Sequence, residues 1–286
     1  MKTCLVLLVA LLFPLLAAAH PALWVARDAD TTIYLFGTVH LLPRDTDWRY
    51  PALETALAGS RTLYIELLDD DQASVAPLVL RYGLDPAHPL SGLLDPAELQ
   101  KLTAAATLAG VPGGMQTLNM MRPWLAALTL AAAPLLKAGL DPQQGVDKQL
   151  KAQMLAAGKK VFGLETAEQQ IRFLSDMTDS TQLAFLRSAL RDADKGPAQL
   201  NELIDAWKAG NVNRIARIED EDMRQQSPAL YQRLLVQRNQ AWAAKIGDML
   251  RHEHGTIFIA VGAAHLAGPD SVQAQLKKLG VETVRE

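Results

Sequence analysis

The sequence has one cysteine among 286 residues, and this residue, Cys4, lies in the apolar segment that begins the chain. The rest of the chain has no thiol, which excludes internal disulfides, cysteine zinc sites and a cysteine nucleophile. Neither sign of charge is in marked excess, since the formal net charge is -3 at pH 7. Such a balance gives no basic surface for nucleic acid or an anionic membrane. The expected partners are therefore peptide or protein substrates or small molecules, and not nucleic acid.

The common short motifs of catalysis and nucleotide binding are also absent. The sequence contains no Gly-x-Ser-x-Gly element, no Walker loop, no His-Glu-x-x-His helix and no dinucleotide-binding glycine fingerprint. The stretch "HEHG" at residues 252–255 is interpreted as the end of a helix and not as a metal cluster. Function has to be inferred from a different pattern.

The first 19 residues have the features of a secretory signal peptide. Lys2 precedes an apolar stretch from Leu5 to Leu16, and the small residues Ala17 and Ala19 suit signal peptidase. The apolar stretch is short for a bilayer span, and no basic flank follows it. We predict cleavage after Ala19, a periplasmic or secreted location, and no transmembrane segment in the mature chain.

Short apolar runs rich in β-branched and aromatic residues are typical of buried strands. They are "TTIYLFG", "RTLYIELL", "KKVFGLE", "GTIFIAVG" and, at the chain end, "VETVRE". Helical patterns separate them, with predicted helix starts at Asp95-Pro96 and Ser227-Pro228. We predict an α/β fold in which a mostly parallel central sheet is flanked by helices. We expect residues 20–286 to form one domain, with a helical insertion or lid at about 166–253.

A duplicated Gly-x-x-His element is the strongest chemical signal. "IYLFGTVHLLP" and "FIAVGAAHLAGP" each run from a strand-like segment through glycine to a histidine, His40 and His265. Glu66 and Glu165 close two other strand-like runs. The carboxyl ends of parallel strands meet at one edge of a sheet, where ligands bind. Imidazole and carboxylate groups bind divalent metals or transfer protons. The four side chains are therefore predicted to share one site.

Each candidate also has a purely structural interpretation. A histidine after a strand can bind the backbone, Glu66 leads into an acidic loop, and Glu165 precedes a helix-capping Thr. The duplicated frame favours a shared site for the two histidines, because a second chance occurrence is less expected than a common role. The residues alone leave other candidates open between helix caps or exposed helix faces and functional roles: Arg122, Asp147, Arg238 and Asn239.

A set of segments spread over nearly all of the mature chain resembles the TraB/PrgY/GumN family. In order they are "YLFGTVHLLP", "YIEL", "MRPW", "GVDKQL", "VFGLETAEQQ", "QRNQAW" and "VGAAHLAGPDSVQAQLKKLG". This family is similar to the animal Tiki proteins. The resemblance implies an α/β fold akin to the erythromycin-esterase and ChaN-like group, and metal-dependent peptide hydrolysis that uses Mn or Co, with Zn possible.

The resemblance also suggests a role for each candidate. His40, Glu66 and His265 are the expected metal ligands. Glu165 is the expected general base, and Arg238 the expected stabiliser of the developing oxyanion. Contacts to substrate are assigned to Asn239, Arg122 and Asp147.

Two alternatives come from other functional classes. One is a protein that binds a peptide signal without hydrolysing it, which needs the cleft but no metal. The other is a ChaN-like haem or iron carrier, in which one histidine would be an axial ligand. Family resemblance alone does not choose among them, because one fold hosts several activities.

Overall fold

A computed structural model describes residues 20–191 and 195–286, so the predicted signal peptide lies outside the described residues. The described strands form one six-stranded sheet of order β4-β3-β5-β2-β1-β6. They are β1 (Leu23–Arg27), β2 (Thr31–Thr38), β3 (Thr62–Leu67), β4 (Lys160–Glu165), β5 (Gly255–Gly262) and β6 (Val284–Arg285). The sheet is parallel from β4 to β2, whereas β1 pairs antiparallel with both β2 and β6.

Helices flank this sheet, which confirms the predicted α/β fold. They are α1 (Pro51–Gly59), α2 (Gln72–Gly83), α3 (Pro96–Ala109), α4 (Gly114–Leu118), α5 (Pro123–Lys137), α6 (Val146–Ala156), α7 (Ala167–Ser175), α8 (Asp179–Arg191), α9 (Gly196–Lys208), α10 (Val212–Ala216), α11 (Asp222–Gln226), α12 (Pro228–Tyr231), α13 (Gln237–His252) and α14 (Val272–Lys278). Two π turns interrupt the helical region, at Arg217–Glu221 and Gln232–Val236. In the part of the chain described, no helix is long and apolar enough to cross a membrane.

The two central strands are buried on both faces, as expected for a parallel sheet. Alternate residues of β2 and β5 point to opposite sides of the sheet. Phe36 and Phe258 belong to a core cluster on one side, with Leu150 of α6 and Trp207 of α9. The other side packs against α13 and α14 through a cluster that includes Ile33, Leu35, Ile257, Ile259, Trp242 and Leu276. The strand ends are thereby held between two helical layers.

A third apolar cluster joins helices beside the sheet. It includes residues of α3, α5 and α8, among them Leu102, Ala126, Leu130 and Leu186. These helices belong to the connections both before and after β4, and the helical insertion at about 166–253 stays a prediction. The apolar run of residues 120–140 contributes α5, whose buried face packs in this cluster while Leu128 and Leu136 are exposed.

Local helix signals agree with the structure. Asp95 caps α3 through the backbone N–H of Glu98, whose side chain accepts from the backbone N–H of Asp95 in return. Thr166 and Gln169 form the same reciprocal pair at the start of α7, directly after β4. The α7 cap matters for the site because it fixes how the chain leaves Glu165.

Candidate functional site

Four parallel strands bring their carboxyl ends to one edge of the sheet. Glu165 is the last residue of β4 and pairs with Leu67 of β3, so Glu66 lies beside it. Gly262 ends β5 and pairs with Thr38, which ends β2. His40 follows Thr38 by two residues, and His265 lies in a short 3-10 turn, Ala263–Leu266, that follows β5. The four strand ends thus bring Glu66, Glu165, His40 and His265 to the same edge of the sheet.

Three of the predicted residues surround Gly262. The backbone N–H of Gly262 donates to Oε1 of Glu66 at 2.6 Å. A Cβ atom placed on Gly262 would lie 3.1 Å from Glu66 Oε1 and 3.6 Å from both His40 Nε2 and His265 Cδ2. Nε2 of His265 lies 3.9 Å from the same Glu66 oxygen. Two imidazole rings and one carboxylate therefore border a small volume that the missing glycine side chain leaves free.

His265 is buried and has a defined tautomer. Its Nδ1 donates to Oδ1 of Asn239 at 2.6 Å, and the Asn239 amide is oriented by donating from Nδ2 to the carbonyl of Asp270 at 2.8 Å. Nε2 accepts from Nη1 of Arg238 at 3.2 Å. Burial, helped by the charges of Arg238 and His40 and opposed by Glu66, lowers the pKa of His265 to about 3. The ring is therefore neutral, with its Nε2 lone pair directed into the site.

His40 is held from the opposite side by Asp147, a residue of the first turn of α6. Its Nδ1 lies 3.1 Å from Asp147 Oδ1. Loss of hydration would lower the pKa of His40, but 60% of the side chain is exposed. The hydrogen bond to Asp147 and the charge of Glu66 prevail and raise that pKa. As with His265, Nδ1 is engaged by an oxygen acceptor and Nε2 faces Gly262.

Arg238 links the two carboxylates. Its Nη2 donates to Glu66 Oε2 at 2.6 Å and to Glu165 Oε2 at 2.8 Å, while Nε donates to Glu165 Oε1 at 2.9 Å. Burial would raise the pKa of Glu66, but the positive charges of Arg238 and His40 and the hydrogen bond from the Gly262 N–H prevail and lower that pKa. The guanidinium also stacks on Trp242, with its Cζ 4.7 Å from the ring centre. Glu66 is therefore ionised, and Arg238 is rigidly held.

Two cavities open beside these groups. The main one has a volume of about 330 Å³ and the second about 300 Å³, and His40 and Glu66 line both. Thr38 lines both as well, and its Oγ1 is buried without a hydrogen-bond partner in the described part of the chain. The main cavity has an apolar wall formed by Leu41, Leu200, Leu203, Met223, Leu234 and Leu235.

Glu219 lines the main cavity opposite the rim and was not predicted from the sequence. Burial raises its pKa, and the charge of His40 partly offsets this. The acidic run "RIEDED" has the composition of a solvated surface, and the π turn inside it changes which side chains face inward. No local sequence signal identifies Glu219, because the α-helical spacing of inward-facing residues does not hold across a π turn.

Of the other predicted residues, two contact the histidines and two lie outside both cavities. Asn239 and Asp147 contact the two histidines, and their predicted role as substrate contacts stays a prediction. Glu165 is bound by Arg238 and by Nε2 of Gln170, at 3.1 Å, and it lines neither rim cavity. Arg122 lies at the start of α5, where Nη1 donates to the carbonyl of Tyr82 at 3.4 Å, and it also lines neither cavity.

Comparisons with known proteins identify the family of this chain. The model of the TraB/PrgY/gumN family matches residues 22–285. The chain belongs to the TraB/PrgY/gumN family. It is 24% identical to an uncharacterized protein of Treponema pallidum (strain Nichols), over 89% of this chain and 80% of that protein. It is 26% identical to the uncharacterized protein YbaP of Escherichia coli (strain K12), over 90% and 92% of the two chains. No solved structure matches significantly.

In this TraB/PrgY/gumN member, the side chains around Gly262 are of types that bind divalent cations, namely two histidines and one carboxylate. Metal-binding histidines usually have one ring nitrogen held by a carboxylate or carbonyl oxygen, as Asp147 and Asn239 hold His40 and His265 here. Glu66 adds an ionised carboxylate. A cation would displace the second proton of His40 and the Arg238 contact to His265. Across residues 20–191 and 195–286, no three such donors are already arranged as a metal-binding group.

Proposed function

We propose that this protein is an exported metal-dependent hydrolase that acts on peptides, with its active site at the rim formed by the two Gly-x-x-His elements. The observation that carries the proposal is the pairing of each histidine with an oxygen acceptor at Nδ1, while both rings border the volume at Gly262. One histidine with such a bond would be ordinary for a structural residue. Two rings fixed in the same way around one ionised carboxylate support a ligand site.

His40, Glu66 and His265 would hold the cation, for which Mn or Co is the first choice and Zn the second. Bound there, a divalent ion would acidify water and polarise a carbonyl group. Family resemblance to the Tiki proteins supports peptides as the substrate class. The apolar wall of the main cavity supports a peptide with a hydrophobic side chain next to the cleaved bond, because such a wall gives nothing for a charged side chain to bind.

Glu219 is the carboxylate that the geometry favours as proton acceptor. It lines the same cavity as His40 and Arg238, and burial raises its pKa, which makes it a stronger base than an exposed glutamate. Glu165, the general base expected from the sequence, binds Arg238 through both of its oxygens. In this proposal Glu165 positions Arg238, and an Arg238 N–H stabilises the oxyanion once it leaves its contact with His265.

The first test is the metal content of the untagged mature protein, measured by elemental analysis after incubation with Mn, Co or Zn and extensive dialysis. The wild type is compared with the His40→Ala/His265→Ala double variant. His88→Ala/His252→Ala is the matched control, because it removes two imidazoles that are exposed and lie outside both rim cavities. About one ion per chain in the wild type and control, absent from the rim variant, supports the proposal. Equal metal in all three proteins would overturn it.

A screen of short peptides with the metal-loaded protein then separates hydrolysis from simple binding. The proposal expects new amino and carboxyl termini to appear with the wild type and to be lost in the folded rim double variant. A protein that only sequesters a peptide would bind without forming products. Binding that survives in the rim double variant would place the peptide elsewhere.

A further inference from the structure

An apolar cavity between α5 and α9 adjoins the main rim cavity. This α5–α9 cavity has a volume of about 370 Å³, and Leu200, Leu203 and Glu219 line both it and the main cavity. Within residues 20–191 and 195–286, Glu219 is its only charged lining residue. The other lining residues used below are Leu130, Ala131, Leu135 and Gly196. Apolar space therefore extends from the rim past the two shared leucines.

The spacing of residues along the two helices explains the apolar walls of this cavity. On α9, Gly196, Leu200 and Leu203 follow one another at intervals of four and three residues. On α5, Ala131 and Leu135 are four residues apart. Residues three and four apart lie on one helix face, so each helix presents an apolar stripe to the cavity.

Small residues in these stripes leave the space between the helices unfilled. Ala131 stands on α5 and Gly196 on α9, where a Cβ added to Gly196 would lie 3.6 Å from Leu135, an ordinary contact. Gly196 has no positive φ that would require glycine. Neither the backbone nor Leu135 excludes a larger residue at this position. The space is therefore compatible with the fold whether it is empty or filled.

The leucines that line both cavities keep apolar surface available for a ligand. Leu200 and Leu203 are only half-buried, although both pack against the core cluster beneath the sheet. Leu130, on the opposite wall, is fixed in the cluster that joins α3, α5 and α8. Protein interiors are normally close-packed, and concave apolar surface between rigid walls is typical of ligand sites.

We propose that the α5–α9 cavity is a second side-chain subsite of the rim, which takes a large apolar side chain one or two residues along the peptide from the side chain bound in the main cavity. This inference rests on the proposed function for its substrate class, and it narrows that class to peptides with two large apolar residues close together. Side chains two residues apart in an extended peptide lie about 7 Å from each other on the same side. Such a peptide would pass over Leu200 and Leu203 with one side chain on each side of them.

The test is fluorescence anisotropy of dye-labelled alanine-based peptides with the mature protein, before and after incubation with Mn. One peptide contains a single leucine. The others contain a second leucine, or an asparagine of similar size, one or two residues away on either side. We expect at least one peptide with two leucines to bind about 10-fold tighter than its leucine–asparagine counterpart, because burial of the second leucine removes apolar surface from water.

Variants that fill the α5–α9 cavity from either helix locate this gain. Ala131→Trp and Gly196→Leu should each abolish the advantage of the second leucine and leave binding of the one-leucine peptide nearly unchanged. Ala132→Trp is the matched control, since Ala132 is also an exposed residue of α5 but does not line the cavity. Circular dichroism confirms that each variant is folded.

The subsite would be overturned if no second leucine tightened binding to the wild type, with or without Mn. It would equally be overturned by a gain that both cavity-filling variants retain, or by a gain that Ala132→Trp also loses. Product analysis of the same peptides keeps the two proposals distinguishable. Cleavage without preference for a second leucine would leave the hydrolase and remove the subsite, whereas preferential binding without products would do the reverse.

Discussion

The Nδ1 atom of His265 lies 2.6 Å from Oδ1 of Asn239, and this contact fixes which ring nitrogen faces the rim. Without an acceptor at Nδ1, the buried ring can invert its tautomer and present a proton where a lone pair is needed. Replacement of such a supporting residue typically lowers metal affinity about 10-fold to 100-fold. The contact therefore gives the first prediction.

Asn239→Leu is expected to weaken metal binding by about 10-fold to 100-fold in a competition titration with a chelating dye. The control is Gln275→Leu, since Gln275 is also buried and donates to the carbonyl of Asp270, yet it does not contact His265. An affinity lowered equally in both variants would show that the loss comes from packing near Asp270 and not from the histidine tautomer.

Arg238→Met is expected to destabilise the metal-free protein by about 3–5 kcal/mol, because it leaves Glu66 and Glu165 as buried carboxylates without their cationic partner. The measurement is urea unfolding at pH 7. Arg251→Met serves as control, since Arg251 is exposed on α13 and is expected to change stability by less than about 0.5 kcal/mol. Equal urea midpoints for the two variants would show that the fold does not depend on the ion pairs of Arg238 with Glu66 and Glu165.

The strands of the parallel sheet could be predicted because continuous apolar runs closed by glycine or glutamate are typical of buried parallel strands. The meeting of their ends could be predicted because parallel strands all end at the same edge of a sheet. The first strand, "LWVAR", was missed; it is short and directly follows the predicted signal peptide. The rim contacts themselves were out of reach. Arg238 binds Glu66 across 172 residues of sequence, and no local pattern encodes which carboxylate a helix arginine will meet.

The two glycines of the repeated element have different physical roles. Gly262 has a φ of −49°, which any residue can adopt, so the backbone conformation does not require glycine there. A Cβ on Gly37 would meet the Cα of Ala263 at 3.0 Å, so this glycine allows two backbones to pack closely. At Gly262 a Cβ would instead meet side chains of the candidate ligands, Glu66 and His40.

Gly37→Ala should therefore lower stability by about 1–3 kcal/mol through overpacking. Gly262→Ala should unfold at nearly the wild-type urea concentration but lose metal, since its methyl group enters the space that a cation would use. Unfolding and elemental analysis of both variants, side by side, check this contrast. Metal retained in a folded Gly262→Ala protein would show that the cation does not bind beside this glycine.

Glu219→Gln is expected to lower the turnover of a peptide substrate by about 100-fold to 10,000-fold with metal content unchanged, because a general base is lost and no proposed ligand is altered. Glu165→Gln should have its main effect on stability, since it removes a charged partner of Arg238. Turnover, metal content and unfolding are measured for both. A large loss of turnover in Glu165→Gln with full stability, and none in Glu219→Gln, would restore Glu165 as the base.

Asp220 gives a prediction about pH that is independent of any ligand. Burial, together with the charges of Glu219 and Asp270, raises its pKa to about 8 in the folded protein, against about 3.9 for an unfolded aspartate. Between these values the folded state holds a proton that the unfolded state has lost. The contribution of Asp220 to stability is thus fully present below pH 4 and falls as the pH rises to about 8.

Asp220→Asn carries no titrating group, so its stability relative to wild type should increase steadily between pH 4 and pH 8, by up to about 1.4 kcal/mol per pH unit. The free energies of unfolding of the two proteins are measured with urea at several pH values. Their difference isolates Asp220, because the titrating groups that both proteins share contribute equally to each. Asp248→Asn, which alters an exposed aspartate, should follow the wild type throughout. A constant difference between Asp220→Asn and wild type over this range would mean that Asp220 is ionised in the folded protein. Its Oδ1, which has no hydrogen-bond partner in the described part of the chain, would then have to be solvated.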